Sequence, residues 1–102
     1  MSDEHIILTS PDGYKISYDI RYGIFLIINC YFNPFNFIDF AEVNINSIPG
    51  VMRFKAIEKY DDGTGFLIFQ VEPHTDKQLL FKQVENQFNE YFFKDGQLYK
   101  DN

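Results

Sequence analysis

Few side chains in this chain could do chemistry. His5 and His74 are its two imidazoles and Cys30 its only thiol. A nucleophilic centre needs a Ser or Cys oriented by a base, and a zinc site needs three or four converging His, Cys or carboxylate ligands. Neither pattern is spelled out. His74 sits in "EPHTD" at a strand–helix junction, and its spacing to Asp76 is common by chance. Cys30, inside "GIFLIINCYF", reads as a small apolar strand residue, and without a second cysteine it forms no intramolecular disulfide. The most motif-like stretch is "DDGTGFLIFQ", residues 61–70. A phosphate-cradling loop needs Lys and Ser or Thr after its glycines, or a third Gly with a helix behind it. Here a short β-prone run follows instead, so Asp61, Asp62, Gly63, Thr64 and Gly65 read as a hairpin connection. No catalytic, cofactor or metal residues are expected, and the chain reads as a non-enzyme.

What stands out is "YFNPFNF" at 31–37. Phe32, Phe35 and Phe37 flank a proline bend and cannot all be buried by the two-residue period of one strand. Two readings follow. The rings fold back as a lid on the end of the core, or they form an exposed anchor for a protein partner, since aromatic residues dominate interface energetics.

The elements that position these residues are mostly strands, because turn residues cut the chain into short segments of period two. A first strand is expected near His5–Thr9. "SPDG" then puts Pro11 and Asp12 at the centre of a turn, with Gly13 at positive φ. In "YKISYDI", Tyr14, Ile16, Tyr18 and Ile20 alternate with Lys15, Ser17 and Asp19, which predicts a half-buried strand. "IFLIINCYF" is apolar on both faces and reads as a central strand covered on two sides. "FIDFAEVNIN" begins with Ile38 and Phe40 in phase but continues with Ala41, Val43 and Ile45 out of phase, predicting a bulged strand. Pro49 and Gly50 predict a type II turn that makes it a hairpin with "VMRFKAIEKY". There Met52, Phe54, Ala56 and Tyr60 oppose Arg53, Lys55 and Lys59. "FLIFQVE" is apolar on both faces and needs an outer cover. A helix over about 76–93 is expected to supply it, capped by Thr75 with Gln78 completing a capping box. Leu80, Val84, Phe88, Tyr91 and Phe92 share one stripe of that helix. Gly96 stops it, and 94–102 read as a flexible tail.

The expectation is therefore one domain, 1–102, mostly β with a C-terminal α-helix: a small antiparallel six-stranded barrel or half-barrel over about 5–72, closed by one helix. With 102 residues, twelve Phe and seven Tyr, the chain has enough apolar mass for one core. The formal net charge of −6, with nine Lys and Arg, works against nucleic-acid phosphates and anionic membranes. It suits a protein partner with a basic surface. The longest apolar run, Ile24–Ile28, is too short to span a bilayer, and "MSDEHIILTS" lacks the basic start of a secretory signal. A cytoplasmic location is expected.

The closing segment "GTGFLIFQVEPHTDKQLLFKQVENQF" resembles the end of PilZ domains, where a Gly-x-Gly-x-x-Phe-like strand, a polar link and a helix containing "LL" close a barrel. "GIFL" and "AEVNI…IPGVMRFKAIEKY" are similar to the strands before it, so the resemblance spans about residues 14–93. It implies a cytoplasmic regulatory or adaptor domain. The family's cyclic di-GMP motifs are not matched. Arg21 has Phe25 four residues on and Ser17 four before, so the paired guanidinium clamp is missing. Ser47 and Gly50 imitate the second motif, but Ile45 stands where an Asp or Asn belongs. The resemblance thus implies a member that has lost the nucleotide and works through protein contacts. Two other readings stay open: a pleckstrin-homology-like ligand module, and a small acidic viral or host-directed inhibitor occupying a basic site on its target.

Overall fold

The computed structural model describes residues 5–10 and 12–93. The turn position of Pro11, the Gly96 stop and the 94–102 tail lie outside the described residues. Five strands form one sheet: β1 (Ile6–Thr9), β2 (Lys15–Arg21), β3 (Phe25–Cys30), β4 (Val51–Lys59) and β5 (Gly65–Val71). Their order is β1-β2-β3-β5-β4, with every neighbouring pair antiparallel. The first three strands meander. The chain then crosses through a 3₁₀ turn at Pro34–Asn36 and helix α1 (Ile38–Asn44), enters at the far edge as β4, and returns as β5 between β4 and β3. Among the described residues both β1 and β4 are free edges, so the expected six-stranded barrel or half-barrel is corrected to an open five-stranded sheet.

The strand that is missing is the one predicted from "FIDFAEVNIN". Its phase slip is a helical period, not a bulge. Phe37, Ala41 and Ile45 are four apart and all buried, and the Ala41 and Ile45 amides donate to the Phe37 and Ala41 carbonyls at 2.9 and 2.8 Å. The Pro49–Gly50 turn is present, with the Val51 amide donating to the Ile48 carbonyl at 3.0 Å and Gly50 at φ +97°. It joins a helix to a strand rather than two strands.

The bulges are elsewhere, in β4. Its pairing with β5 shifts register between Val51 and Arg53 and again between Phe54 and Ala56. Two extra residues stretch the inward spacing from two to three, so Val51, Phe54 and Ile57 pack against the core while Met52 and Ala56 are exposed. The predicted inward set of Met52, Phe54, Ala56 and Tyr60 is corrected accordingly.

In β2, Ile16, Tyr18 and Ile20 are buried as expected, but Ser17 of the other face is buried too and Tyr14 of the inward set is half-exposed. β3 is the middle strand, but it is covered on one face only. Leu26, Ile28 and Cys30, with Leu67, Phe69 and Val71 of β5, share one buried core with Leu80, Phe81, Val84 and Phe88 of helix α2 (Lys77–Phe93) and with Phe37, Ala41 and Ile45 of the α1 region. On the opposite face Phe25, Ile27, Phe66 and Ile68 are only half-buried. The predicted cap of α2 moves by one residue: the Leu79 amide donates to Asp76 Oδ1 at 3.2 Å, whereas Thr75 Oγ1 donates to the Glu72 carbonyl. Among the described residues no helix is long and apolar enough to cross a membrane.

Candidate functional site

Strand register, not sequence proximity, assembles the most distinctive surface. Ile16 pairs with Cys30, Cys30 with Gly65, and Gly65 with Lys59. The start of β2, the end of β3, the start of β5 and the end of β4 therefore lie side by side at one end of the sheet. The loops leaving that end are 10–14, 31–37 and 60–64. They carry Tyr14, Tyr31, Phe35 and Tyr60, each about half exposed, with Tyr14 stacked on Phe92 on the helix-covered face and Tyr31 by Ser17 and Tyr60 by Phe66 on the other.

The three phenylalanines of the proline bend separate sharply. Phe37 is 1 % exposed and belongs to the core, with ring centroids at 5.0 Å from Tyr91 and 6.1 Å from Phe32. Phe32 is half-buried, edge-on to Tyr14 at 5.5 Å. Phe35 is 53 % exposed. Geometrically, Phe32 and Phe37 fold back as the lid, and Phe35 alone of the three points a ring to solvent. The bend is held by local chemistry: Asn33 Oδ1 accepts the Phe35 amide at 3.0 Å, and the Tyr91 hydroxyl donates to the Asn36 carbonyl at 2.7 Å. Burial raises the Tyr91 phenol above its usual range, and the neighbouring Tyr14 and Cys30 add to this.

Carboxylates rim the same end. Asp12 is exposed in the first hairpin, and Asp61 and Asp62 in the second. The Asp61–Gly65 stretch is the hairpin connection expected of it. The Tyr60 amide donates to the Thr64 carbonyl at 2.6 Å, the Gly63 amide to the Tyr60 carbonyl at 3.0 Å, and Gly63 has φ +94°. Asp62 Oδ1 accepts both the Thr64 amide (2.9 Å) and the Thr64 hydroxyl (2.7 Å). These bonds favour the charged form and hold the Asp62 carboxyl below its usual range. Of the two lysines nearby, Lys15 places its Nζ 4.7 Å from the Tyr31 ring centroid. The Tyr31 hydroxyl in turn lies 3.4 Å from Ser17 Oγ, which accepts from Asn29 Nδ2 at 3.2 Å. That arrangement fixes Tyr31 from below.

The residues considered for chemistry are not brought together. His5 opens β1, and His74 is exposed in the β5–α2 link at φ +70°. Cys30 is 2 % exposed, as expected of an apolar strand position, and burial pushes its thiol up to about 12. Arg21 is opposite Phe25 across the β2–β3 pairing, its Nε 3.5 Å from Asp19 Oδ2. Ser47 donates to the Asn44 carbonyl at 2.8 Å, just after α1. A cleft of about 260 Å³ at the opposite end of the sheet is lined by Pro49, Gly50, Thr75, Asp76 and Leu79 among others. Among the described residues no three His, Cys, Asp or Glu side chains are grouped to hold a metal ion.

Sequence reasoning reached Phe35 through its proline bend but missed Tyr14, Tyr31 and Tyr60. The available signal was that each stands at a strand end beside a turn; only the pairing register shows that the turns coincide. Comparisons with protein-family models, with curated proteins and with solved structures found no match to this chain.

Proposed function

We infer that this protein is a non-catalytic regulatory or adaptor domain that acts through protein–protein contacts, with a basic surface on its partner. The observation that carries the reading is the gathering of Tyr14, Tyr31, Phe35 and Tyr60 with Asp12, Asp61 and Asp62 on three loops at one end of the sheet. Exposed aromatic anchors rimmed by carboxylates suit a partner that offers Lys or Arg side chains to ring faces and acids alike. The PilZ-type reading is supported by the order of glycine turn, strand Gly65–Val71, polar link and helix Lys77–Phe93. Within it, cyclic di-GMP is not the ligand, because the arginine pair is absent and Arg21 is engaged with Asp19. A cytoplasmic location completes the proposal.

The test uses the tagged full chain and a Phe35→Ala/Tyr60→Ala variant in capture from the lysate of its source. A protein retained by the wild type, lost by the variant and released by raised salt is the expected outcome, with the variant still folded and its melt lowered by only several degrees. Retention by both would dismiss this end of the sheet as the contact. Separately, titration calorimetry with cyclic di-GMP at about 100 µM should give no binding heat, and a dissociation constant in the low micromolar range would overturn the nucleotide-free reading.

A further inference from the structure

The two free edges of the sheet are built differently. β4 carries Arg53, Lys55, Glu58 and Lys59 and two register shifts, which are the devices that keep an edge strand from pairing with another chain. β1, Ile-Ile-Leu-Thr, has no charge, no proline and no bulge, and its Ile7 is 54 % exposed. Beneath that edge runs a groove of about 140 Å³ lined by Ile6, Tyr18, Gln78, Phe81, Lys82 and Glu85. We propose that β1 is a self-association edge, on which a second copy of this chain pairs its own β1 antiparallel across a two-fold axis normal to the sheet, a surface separate from the aromatic end.

Charge complementarity selects a second copy as the occupant. Such a two-fold joins the two sheets into one and lays the two α2 helices antiparallel on the same face. α2 runs in the direction of β1: Leu79 and Leu80 line the cleft with Gly50, and Phe92 stacks on Tyr14 at 5.1 Å, beside the Thr9 end of β1. The groove sets Ile6 against residues 78–85, centred near Lys82. One strand residue further, at Ile7, is a rise of about 3.4 Å, roughly two helical residues. An axis through Ile7 is therefore level with the midpoint between Lys82 and Glu85, and it places each Lys82 opposite the copy's Glu85. Among the described residues neither side chain has an ion-pair partner. The same axis pairs Ile6 with the copy's Leu8, both half-buried, and so fills the groove with apolar side chains.

The spacing also fits. The Tyr18 hydroxyl donates to the Phe81 carbonyl at 3.3 Å, and Phe81, Lys82 and Glu85 line the groove with Ile6 and Tyr18, so this side of α2 faces the β1 edge from about the level of β2. The facing sides of the two helices would then be three strand spacings apart, about 14 Å, too far for the direct helix packing of roughly 8–10 Å between axes. Long side chains of opposite sign are what can bridge that distance.

Sedimentation equilibrium of the full chain should show a concentration-dependent monomer–dimer equilibrium. Lys82→Glu or Glu85→Lys alone should weaken it by about tenfold or more, because two attractive contacts become two repulsive ones, and the double exchange should restore it. Ile7→Lys should leave a monomer whose melt matches that of the wild type at concentrations where the wild type is itself monomeric, because this side chain is exposed in the single chain. A wild type that stays monomeric at about 1 mM would overturn the proposal. So would a dimer indifferent to both charge reversals, which would use another surface.

Discussion

Phe35 and Phe37 lie two residues apart on one bend, and their substitutions should differ by nearly the full worth of an aromatic side chain. Phe37 is 1 % exposed and makes ring contacts with Phe32, Phe40, Phe88 and Tyr91. A buried aromatic ring removes on the order of 150–250 Å² from water, which at about 25 cal/mol per Å² is roughly 4–6 kcal/mol as an upper bound. Truncation of a buried Phe typically costs about 3–5 kcal/mol. Against a total stability of roughly 5–15 kcal/mol, Phe37→Ala removes about a fifth or more. At about 4–8 °C per kcal/mol for a chain of this size, its melting temperature should fall by more than about 12 °C. Phe35, half in solvent, should cost about 0.5 kcal/mol or less when cut to Ala, a shift of a few degrees. Phe32, partly buried, falls between. Thermal and urea melts followed by circular dichroism measure all three. Equal losses for Phe35→Ala and Phe37→Ala would refute the assignment of one ring to the core and the other to the surface. The exposed end of the sheet would then lose its central anchor.

Two further outcomes follow from the packing. Cys30, with its thiol pushed up to about 12 from 9.0, should react with a thiol reagent far more slowly in the folded protein than in denaturant. Because the folded value lies above the unfolded one, its contribution to stability is complete below about pH 9 and is lost as pH rises from there towards 12. The difference between wild type and Cys30→Ala in urea melts should change sign-consistently over that window, and a pH-independent difference would contradict it. Gly65→Ala should be destabilising by about 1–3 kcal/mol or more, since an added Cβ would run into the Glu58 carbonyl oxygen and lie 2.6 Å from Pro34 Cγ. A Gly65→Ala melt equal to the wild type would mean that the proline bend does not pack on β5.

The parts of the fold legible in the sequence are those where one physical cause acts alone. Ile16, Tyr18 and Ile20 alternate because one face of β2 lies in the core, and the stripe from Leu80 to Phe88 repeats because α2 packs on that core. Where two causes produce one pattern, reading fails. Helix α1 is seven residues long, too short for its period to outweigh the β-prone Phe, Ile and Val around it. β4 presents apolar residues at every third position because bulges interrupt its pairing with β5, and bulges are set by the partner strand, not by β4 alone. The apolar outer faces of β3 and β5 suggested a cover that none of the described residues supplies, and apolar residues flanked by neighbouring side chains reach half-burial without one.

The candidate site shows the same division at longer range. Phe35 was accessible to sequence reasoning because a proline bend with too many rings is a local contradiction. Tyr14, Tyr31 and Tyr60 each stand at an ordinary strand end, and nothing local distinguishes them from any other tyrosine beside a turn. They come to one end of the sheet only because β5 inserts between β3 and β4, so that Cys30, Gly65 and Lys59 share a row. Had β4 paired directly with β3, Tyr60 would lie at the opposite end, because antiparallel neighbours reverse direction. The insertion in turn depends on α1, since a helix can carry the chain past one strand position to the far edge where a tight hairpin cannot. The segment hardest to read is therefore the one that determines where the aromatic and acidic loops meet.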